Sequence, residues 1–313
     1  MKIVFMGTPA FACPPLEALH QSTHEVLAVV TGPDKPAGRG KKLTPSEVSQ
    51  LADRLGCETL KPVSLKDDAF QRRIEAMQPD LIVVVAFRIL PKKLFSLPKH
   101  GSINIHASLL PRYRGAAPIN WALINGETET GLTSFRLKSK VDTGDIILQE
   151  KAVIDPDDRY DTLYERLSRL AGPFLLRTID IIESGRHAPA PQDESQASAA
   201  PKIGPFDALI DFGFPAEKVR NFIRGLSSKP GAYTSFRGRK LKILSCRLSP
   251  QQGPPGTRPG SIINTKKILL VQCAESAIEL TSLIPEGKKQ MDGSSFINGF
   301  KPQPGEILGK KGS

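Results

Sequence analysis

Two polar residues near the end of an apolar run, Asn104 and His106, and a carboxylate further along, Asp142, are the side chains in this chain best suited to act together chemically. Asn104 and His106 belong to the stretch Ser102–Pro118, SINIHASLLPRYRGAAP, which opens with apolar and polar residues in alternation. A strand has a side-chain period of two, so both project from the same face. An imidazole is the side chain that most readily takes a proton near neutral pH. A carboxylate can hold such a ring and stabilise its cation. An amide N–H two residues away is a donor for a carbonyl oxygen on which negative charge develops. No Ser or Cys nucleophile is poised beside His106, so base plus oxyanion donor points to acyl transfer directly between two bound substrates. Each part also has a structural reading. Asn-x-His on a strand can be a satisfied buried pair, and Asp142-Thr-Gly-Asp145 can simply shape a turn. A metal centre on His106, Asp142 and Asp145 lacks further ligands at standard spacing, and none is expected.

The elements around these residues alternate between strand and helix. Lys2–Met6, Glu25–Val30 and Asp80–Ala86 are short apolar runs, the last rich in β-branched residues. Pro14–Gln21, Ser46–Leu55 (with Ser46 as cap) and Asp67–Met77 have helical patterning. Runs apolar on both faces belong to central parallel strands, so the expected fold is α/β: a Rossmann-like, doubly wound, mostly parallel sheet. A helix (Ile119–Asn125), two strands (Leu132–Leu137, Asp145–Ile154) and a long helix (Tyr160–Ile182) follow. Gly7-Thr8-Pro9 stands where a dinucleotide fingerprint would be, but neither GxGxxG nor a Walker motif is present, leaving ordinary NAD or ATP binding unsupported. From His187 the composition turns to Pro, Ala, Ser and Gln, which reads as an extended linker. The expected division is a catalytic domain over 1–186, a linker over 187–205 and a second domain over 206–313. In the last, short β-rich segments punctuated by Gly and Pro predict a small OB-like antiparallel barrel.

Composition narrows the setting. A chain of 313 residues, 39% hydrophobic and 24% charged, fits about two globular domains. No apolar run approaches the roughly 18–20 residues of a membrane span, and the start reads as a first strand rather than a signal peptide. Four separated cysteines form no CxxC pair, so a reducing cytoplasm is the expected location. The net charge of +11 is almost all C-terminal: residues 201–313 hold 18 Lys and Arg against 8 Asp and Glu. That asymmetry favours a polyanionic partner as much as it favours solubility alone. The long connection Thr31–Pro45, TGPDKPAGRGKKLTP, reads as either a solvated loop or an arm closing on an anionic partner, Arg39, Lys41 and Lys42 meeting phosphates.

In combination, Asn104-x-His106, Ser108-Leu-Leu-Pro111, Arg112-Tyr-Arg-Gly-Ala-Ala-Pro118 and Asp142-Thr-Gly-Asp145 resemble the formyltransferases that use 10-formyltetrahydrofolate. With GTPAFA near the start and KPAGRGKKL at Lys35–Leu43, the pattern resembles the methionyl-tRNA branch of that family across nearly the whole chain. The resemblance implies that Asn104 stabilises a tetrahedral oxyanion, His106 handles the proton, and Asp142 orients the imidazole. It implies folate against Ser108, Leu109, Leu110 and Pro111 and along Val84, Val85, Ala86, Phe87 and Ile89. It also implies a monomer with initiator Met-tRNA as partner, met by Arg39, Lys41, Lys42 and the basic C-terminal domain. Two stretches depart from the family pattern. Ala86–Pro91 is one residue shorter than usual, and Ser134–Lys140 replaces a differently patterned segment. Arg112 and Arg114 have no role in this reading. Formyl transfer to an amino sugar nucleotide, or RNA binding without catalysis on the same fold, are the rival expectations.

Overall fold

The computed structural model describes residues 1–37, 42–185, 188–264 and 266–309. In chain order the first part holds β1 (Lys2–Gly7), α1 (Cys13–His20), β2 (Glu25–Val30), β3 (Lys35–Ala37), β4 (Lys42–Thr44), α2 (Glu47–Arg54) and β5 (Thr59–Leu60). Then come α3 (Asp68–Ala76), β6 (Leu81–Val85), α4 (Lys92–Phe95), β7 (Ser102–His106), α5 (Pro118–Ile124), β8 (Glu129–Arg136), β9 (Ile146–Val153) and α6 (Tyr160–Ser184). The remainder holds α7 (Ala216–Leu226), β10 (Ala232–Phe236), β11 (Arg239–Ser249), β12 (Ile262–Asn264), β13 (Leu270–Gln272), β14 (Ala277–Pro285), β15 (Met291–Asp292) and α8 (Gly293–Phe300).

The chain divides into two compact units: residues 1–116, 130–153 and 164–200, and residues 117–129, 154–163 and 201–313. The second therefore takes in two stretches, Ala117–Glu129 and Ile154–Leu163, that the linear reading assigned to the catalytic domain. No helix among the described residues is long and apolar enough to cross a membrane.

The first unit is built on a seven-stranded sheet in the order β5-β2-β1-β6-β7-β8-β9. β5, β2, β1, β6 and β7 are mutually parallel, and β8 runs antiparallel to β7. This is the Rossmann-like arrangement expected from the alternating βα pattern. β6 shows why: all five of its residues are buried, as a strand flanked on both edges and covered on both faces requires. On one face Val4, Met6, Ile82 and Val84 pack with Phe70, Ile74 and Leu94 from α3 and α4. α1 lies against α6, where Gly172 lets the helices approach closely; a Cβ there would sit 3.1 Å from the Pro14 carbonyl oxygen. α2 starts at the predicted cap, Ser46, whose hydroxyl accepts from the Ser49 N–H. The order of strands reverses between β1 and β6, and in open α/β sheets ligands bind beyond the carboxyl ends of the strands at such a point. His106 ends β7, one strand from the reversal.

The long basic connection is not featureless. Lys35–Ala37 and Lys42–Thr44 pair as an antiparallel hairpin, and Lys61 bonds Asp34 at its base, Nζ to Oδ1 2.8 Å.

The second unit contains the antiparallel sheet β10-β11-β14-β13-β12, with β15 on β14. The apolar side of α7 (Val219, Ile223, Leu226) packs against Leu241, Ile243, Val271, Ile278, Leu280 and Phe296. α5 lies close to α7: the Asn120 amide donates to the Gly225 carbonyl at 2.7 Å, and a Cβ on Gly225 would meet Ile124 at 2.7 Å.

Candidate active site

β7 places Asn104 and His106 as its period predicts. Ile103 and Ile105 are buried, and Asn104 lies between Val84 of β6 and Phe135 of β8. The Asn104 amide has no hydrogen-bond partner among the described residues and is not sealed from solvent, so its N–H is free to meet a ligand. His106 is 6% exposed. Its Nε2 lies 2.8 Å from the carbonyl oxygen of Tyr113. A carbonyl only accepts, so Nε2 carries the hydrogen and Nδ1 is the nitrogen left to take a proton. Nδ1 faces Asp142 Oδ2 at 3.8 Å, ion-pair range but longer than a hydrogen bond. The bond that fixes the ring is therefore to the Tyr113 main chain, where the resemblance had assigned orientation to Asp142. Asp142, 12% exposed, accepts the Gly115 N–H at 2.8 Å through the same Oδ2.

The local backbone explains the arrangement. Tyr113 and Asp142 have positive φ (62° and 53°), a conformation that non-glycine residues rarely adopt and that clusters at functional sites. Asp is among the residues that tolerate it best. Gly144 could not be another residue, because a Cβ would lie 1.5 Å from the Arg136 carbonyl oxygen. Asp145 is drawn away from His106: its carboxylate pairs with Lys138 Nζ at 2.7 Å. His106, Asp142 and Asp145 accordingly do not converge as ligands. Among the described residues the one cluster with metal-like spacing is His24, Asp180 and Glu183. There the Met1 amino group already lies 3.2 Å from His24 Nδ1 and 3.8 Å from Glu183.

The Ser108–Pro111 segment is held by a network that sequence reasoning missed. Thr133 Oγ1 donates to the Ser108 carbonyl at 2.6 Å and accepts the Leu110 N–H at 3.1 Å. Gln149 Nε2 donates to the Leu110 carbonyl at 2.8 Å and to Thr133 Oγ1 at 3.0 Å. Ser108 Oγ donates to the Arg112 carbonyl at 2.7 Å. Thr133, on β8, is a buried polar strand residue, whereas Gln149 lies on an exposed position of β9 and had no such signal. Leu109 and Pro111 remain half-buried.

The other folate candidates separate into two groups. Val84 and Val85 are interior strand residues whose backbone faces β1 and β7 on either side. Ala86 turns the chain out of the sheet with φ 48°, and Phe87–Leu90 belongs to no helix or strand. This backbone lies beyond the carboxyl end of β6, with Ile89 75% exposed and Arg88 braced on the Pro62 and Val63 carbonyls, both at 2.9 Å. None of these residues lines the separate cavity of about 470 Å³ bounded by Leu60–Ser64, Asp67 and Phe70. Arg39 and Lys41 lie outside the described residues; Lys42 is described only as backbone in β4.

Arg114, unassigned from sequence, is engaged by the stretch read as a linker. Its guanidinium bonds Gln192 and Glu194, with the Glu194 contacts at 2.8 and 2.9 Å.

Comparison with known proteins bears on the family. Residues 1–179 match the formyl transferase family model, and residues 202–301 match the model of the formyl transferase C-terminal domain. The methionyl-tRNA formyltransferase of Geotalea uraniireducens is 42% identical over 313 residues, covering 99% of each chain. Among solved structures, HypX from Aquifex aeolicus in complex with tetrahydrofolic acid superimposes with a TM-score of 0.64 at 17% identity. That match covers 98% of this chain, which spans about half (48%) of HypX. WlaRD, a sugar 3N-formyl transferase solved in the presence of dTDP and 5-N-formyl-THF, gives 0.67 at 18% identity, covering 92% of this chain and 99% of its own. At such identities these structures speak to the fold alone. The family models and the full-length likeness place the chain in the formyl transferase family, within its methionyl-tRNA formyltransferase group.

Proposed function

We propose that this chain transfers the formyl group of 10-formyltetrahydrofolate to the α-amino group of methionine on initiator Met-tRNA. The observation that carries the chemistry is an Asn104 amide without a hydrogen-bond partner among the described residues, on the same strand as a His106 whose available nitrogen faces Asp142 at 3.8 Å. The amine nitrogen attacks the formyl carbon, forming a new C–N bond and a tetrahedral oxyanion, which the Asn104 N–H stabilises. The attacking nitrogen gives up one proton to His106 Nδ1, and the Asp142 carboxylate stabilises the imidazolium. The bond to folate N10 breaks as N10 receives a proton, which restores neutral His106. No metal takes part in this scheme.

The residues present suit a folate. The Phe87–Leu90 backbone offers N–H and C=O groups for a pterin edge, and the pinned Ser108–Pro111 segment offers a fixed wall. Arg39, Lys41 and Lys42 meet phosphates of the acceptor end, and the basic residues after 201 meet the tRNA backbone. Free, unpaired cysteines suit a cytoplasmic enzyme.

The test is a transfer assay with 10-formyltetrahydrofolate and charged initiator tRNA, reading formylmethionine released from the tRNA. Transfer to Met-tRNA is expected. Transfer only to an amino sugar nucleotide overturns the acceptor assignment, and salt-sensitive tRNA binding without transfer overturns the enzyme reading.

A further inference from the structure

The stretch after α6 has the composition of a passive spacer, yet it is hydrogen-bonded to the loops that carry the candidate site. Gln192 is the centre of this contact. Its Nε2 donates to the Asp142 carbonyl at 2.9 Å and to the Gly144 carbonyl at 2.7 Å. Its Oε1 accepts from Arg114 Nε at 3.1 Å and from a terminal guanidinium nitrogen at 2.7 Å. A glutamine amide has two donors and two acceptor lone pairs, and all four are used here. Further along, Ser198 Oγ accepts the Tyr113 N–H at 2.9 Å, the Ser198 carbonyl accepts the Arg114 N–H at 2.8 Å, and the Ala200 N–H donates to the Arg114 carbonyl at 2.7 Å.

The strap therefore touches both groups that bracket the His106 ring. One is Tyr113, whose carbonyl fixes Nε2. The other is the turn that presents the Asp142 carboxylate to Nδ1. We propose that Gln192 is a positioning residue for formyl transfer, holding the Asp142 turn against the Arg112–Gly115 loop so that the carboxylate stays at ion-pair distance from His106. This rests on the formyl-transfer reading above. Gln192 itself touches neither substrate nor reacting atom in this role. It acts through Asp142, and its effect falls on turnover rather than on binding.

Glu in place of Gln distinguishes this role from mere packing. Gln192→Glu keeps the shape and the acceptor for Arg114 but sets one carboxylate oxygen, in place of Nε2, against two carbonyl oxygens, so the Asp142 turn is pushed away. A displacement of about 1 Å near reacting groups costs on the order of 100-fold. The experiment measures kcat and KM for both substrates in wild type, Gln192→Ala, Gln192→Glu and Asp193→Ala, with circular dichroism and thermal unfolding on each. Among the described residues the Asp193 carboxylate bonds only Ser195 and Gln196 within its own turn, so it serves as the control in the same segment.

The expected result is a kcat lowered roughly 10- to 100-fold in both Gln192 variants, with KM values within about twofold and unchanged folding, and a wild-type kcat in Asp193→Ala. Gln192→Glu turning over within twofold of wild type overturns the proposal and leaves the formyl-transfer reading intact. So does a kcat loss no larger than the loss of folded protein, or an equal loss in Asp193→Ala. A wild-type chain that formylates nothing overturns the reading itself.

Discussion

Replacing Asp142 by Asn removes one charge and little else. The side-chain oxygen of Asn can still accept the Gly115 N–H that Asp142 accepts at 2.8 Å, so the turn keeps its anchor. What disappears is the attraction between the carboxylate and a proton on His106 Nδ1, 3.8 Å away. Two unit charges at that separation attract by about 4 kcal/mol at an effective dielectric of 20, and by about 1 kcal/mol if water screens them fully. Both groups are largely buried, which favours the upper part of that range. In the proposed scheme the imidazolium forms during transfer, so the loss falls on the transition state. At about 1.4 kcal/mol per decade, single-turnover formyl transfer by Asp142→Asn is expected to be roughly 10- to 1000-fold slower, with donor affinity little changed. The assay mixes excess enzyme with 10-formyltetrahydrofolate and charged initiator tRNA and follows formylmethionine by rapid quench. A folded Asp142→Asn protein within about threefold of wild type would refute the placement of the proton on Nδ1.

Other regions give further expectations. Gly144→Ala sets a Cβ against the Arg136 main chain, which is part of a buried strand and cannot yield; the cost is at least about 3 kcal/mol, a fall in melting temperature of roughly 6–12 °C. Calorimetry showing less than about 2 °C would contradict it. The Glu194 carboxyl is held below its usual range by the Arg114 guanidinium bonded to it. A depressed carboxyl stabilises the fold above its ordinary pKa and loses that contribution as pH falls through the folded value. The stability difference between wild type and Glu194→Gln should therefore be present near pH 6 and vanish in more acidic solution; an unchanged difference at pH 3 contradicts the pairing. Burial pushes the thiols of Cys13 up to about 11 and of Cys246 and Cys273 to about 12, and raises Cys57 as well. At pH 7.5 iodoacetamide should label the native protein slowly and the denatured protein quickly; a fast native thiol would count against these environments.

Much of the candidate site was legible because it depends on regular structure. The period of a strand put Asn104 and His106 together, and the uninterrupted apolar run of β6 announced a central parallel strand beside them. The Asp142 turn was legible as a motif, though not as geometry. What escaped is carried by main-chain atoms or by residues whose neighbours are distant in sequence. The Tyr113 carbonyl that fixes the imidazole has no signature, since every residue offers a carbonyl. Thr133 and Gln149 act only because β8 lies beside β7 and β9 beside β8, and the antiparallel direction of β8 was not readable from its pattern. Gln192 sits in a low-hydrophobicity stretch, and composition reports that such a segment builds no core without reporting its hydrogen bonds. Gly- and Pro-rich residues 31–45 concealed a hairpin, because strands of three residues leave no periodicity to detect.

The central claim is that the Asn104 amide meets the oxygen that becomes negative as the formyl group passes from folate to the methionine amine. The measurement that bears on it most directly is single-turnover formylation of initiator Met-tRNA by wild type and by Asn104→Ala. The predicted result is formyl transfer by the wild type and a loss on the order of 100- to 1000-fold in the variant, the usual consequence of removing one oxyanion donor, with folding and donor binding retained. Equal rates for the two proteins would contradict it.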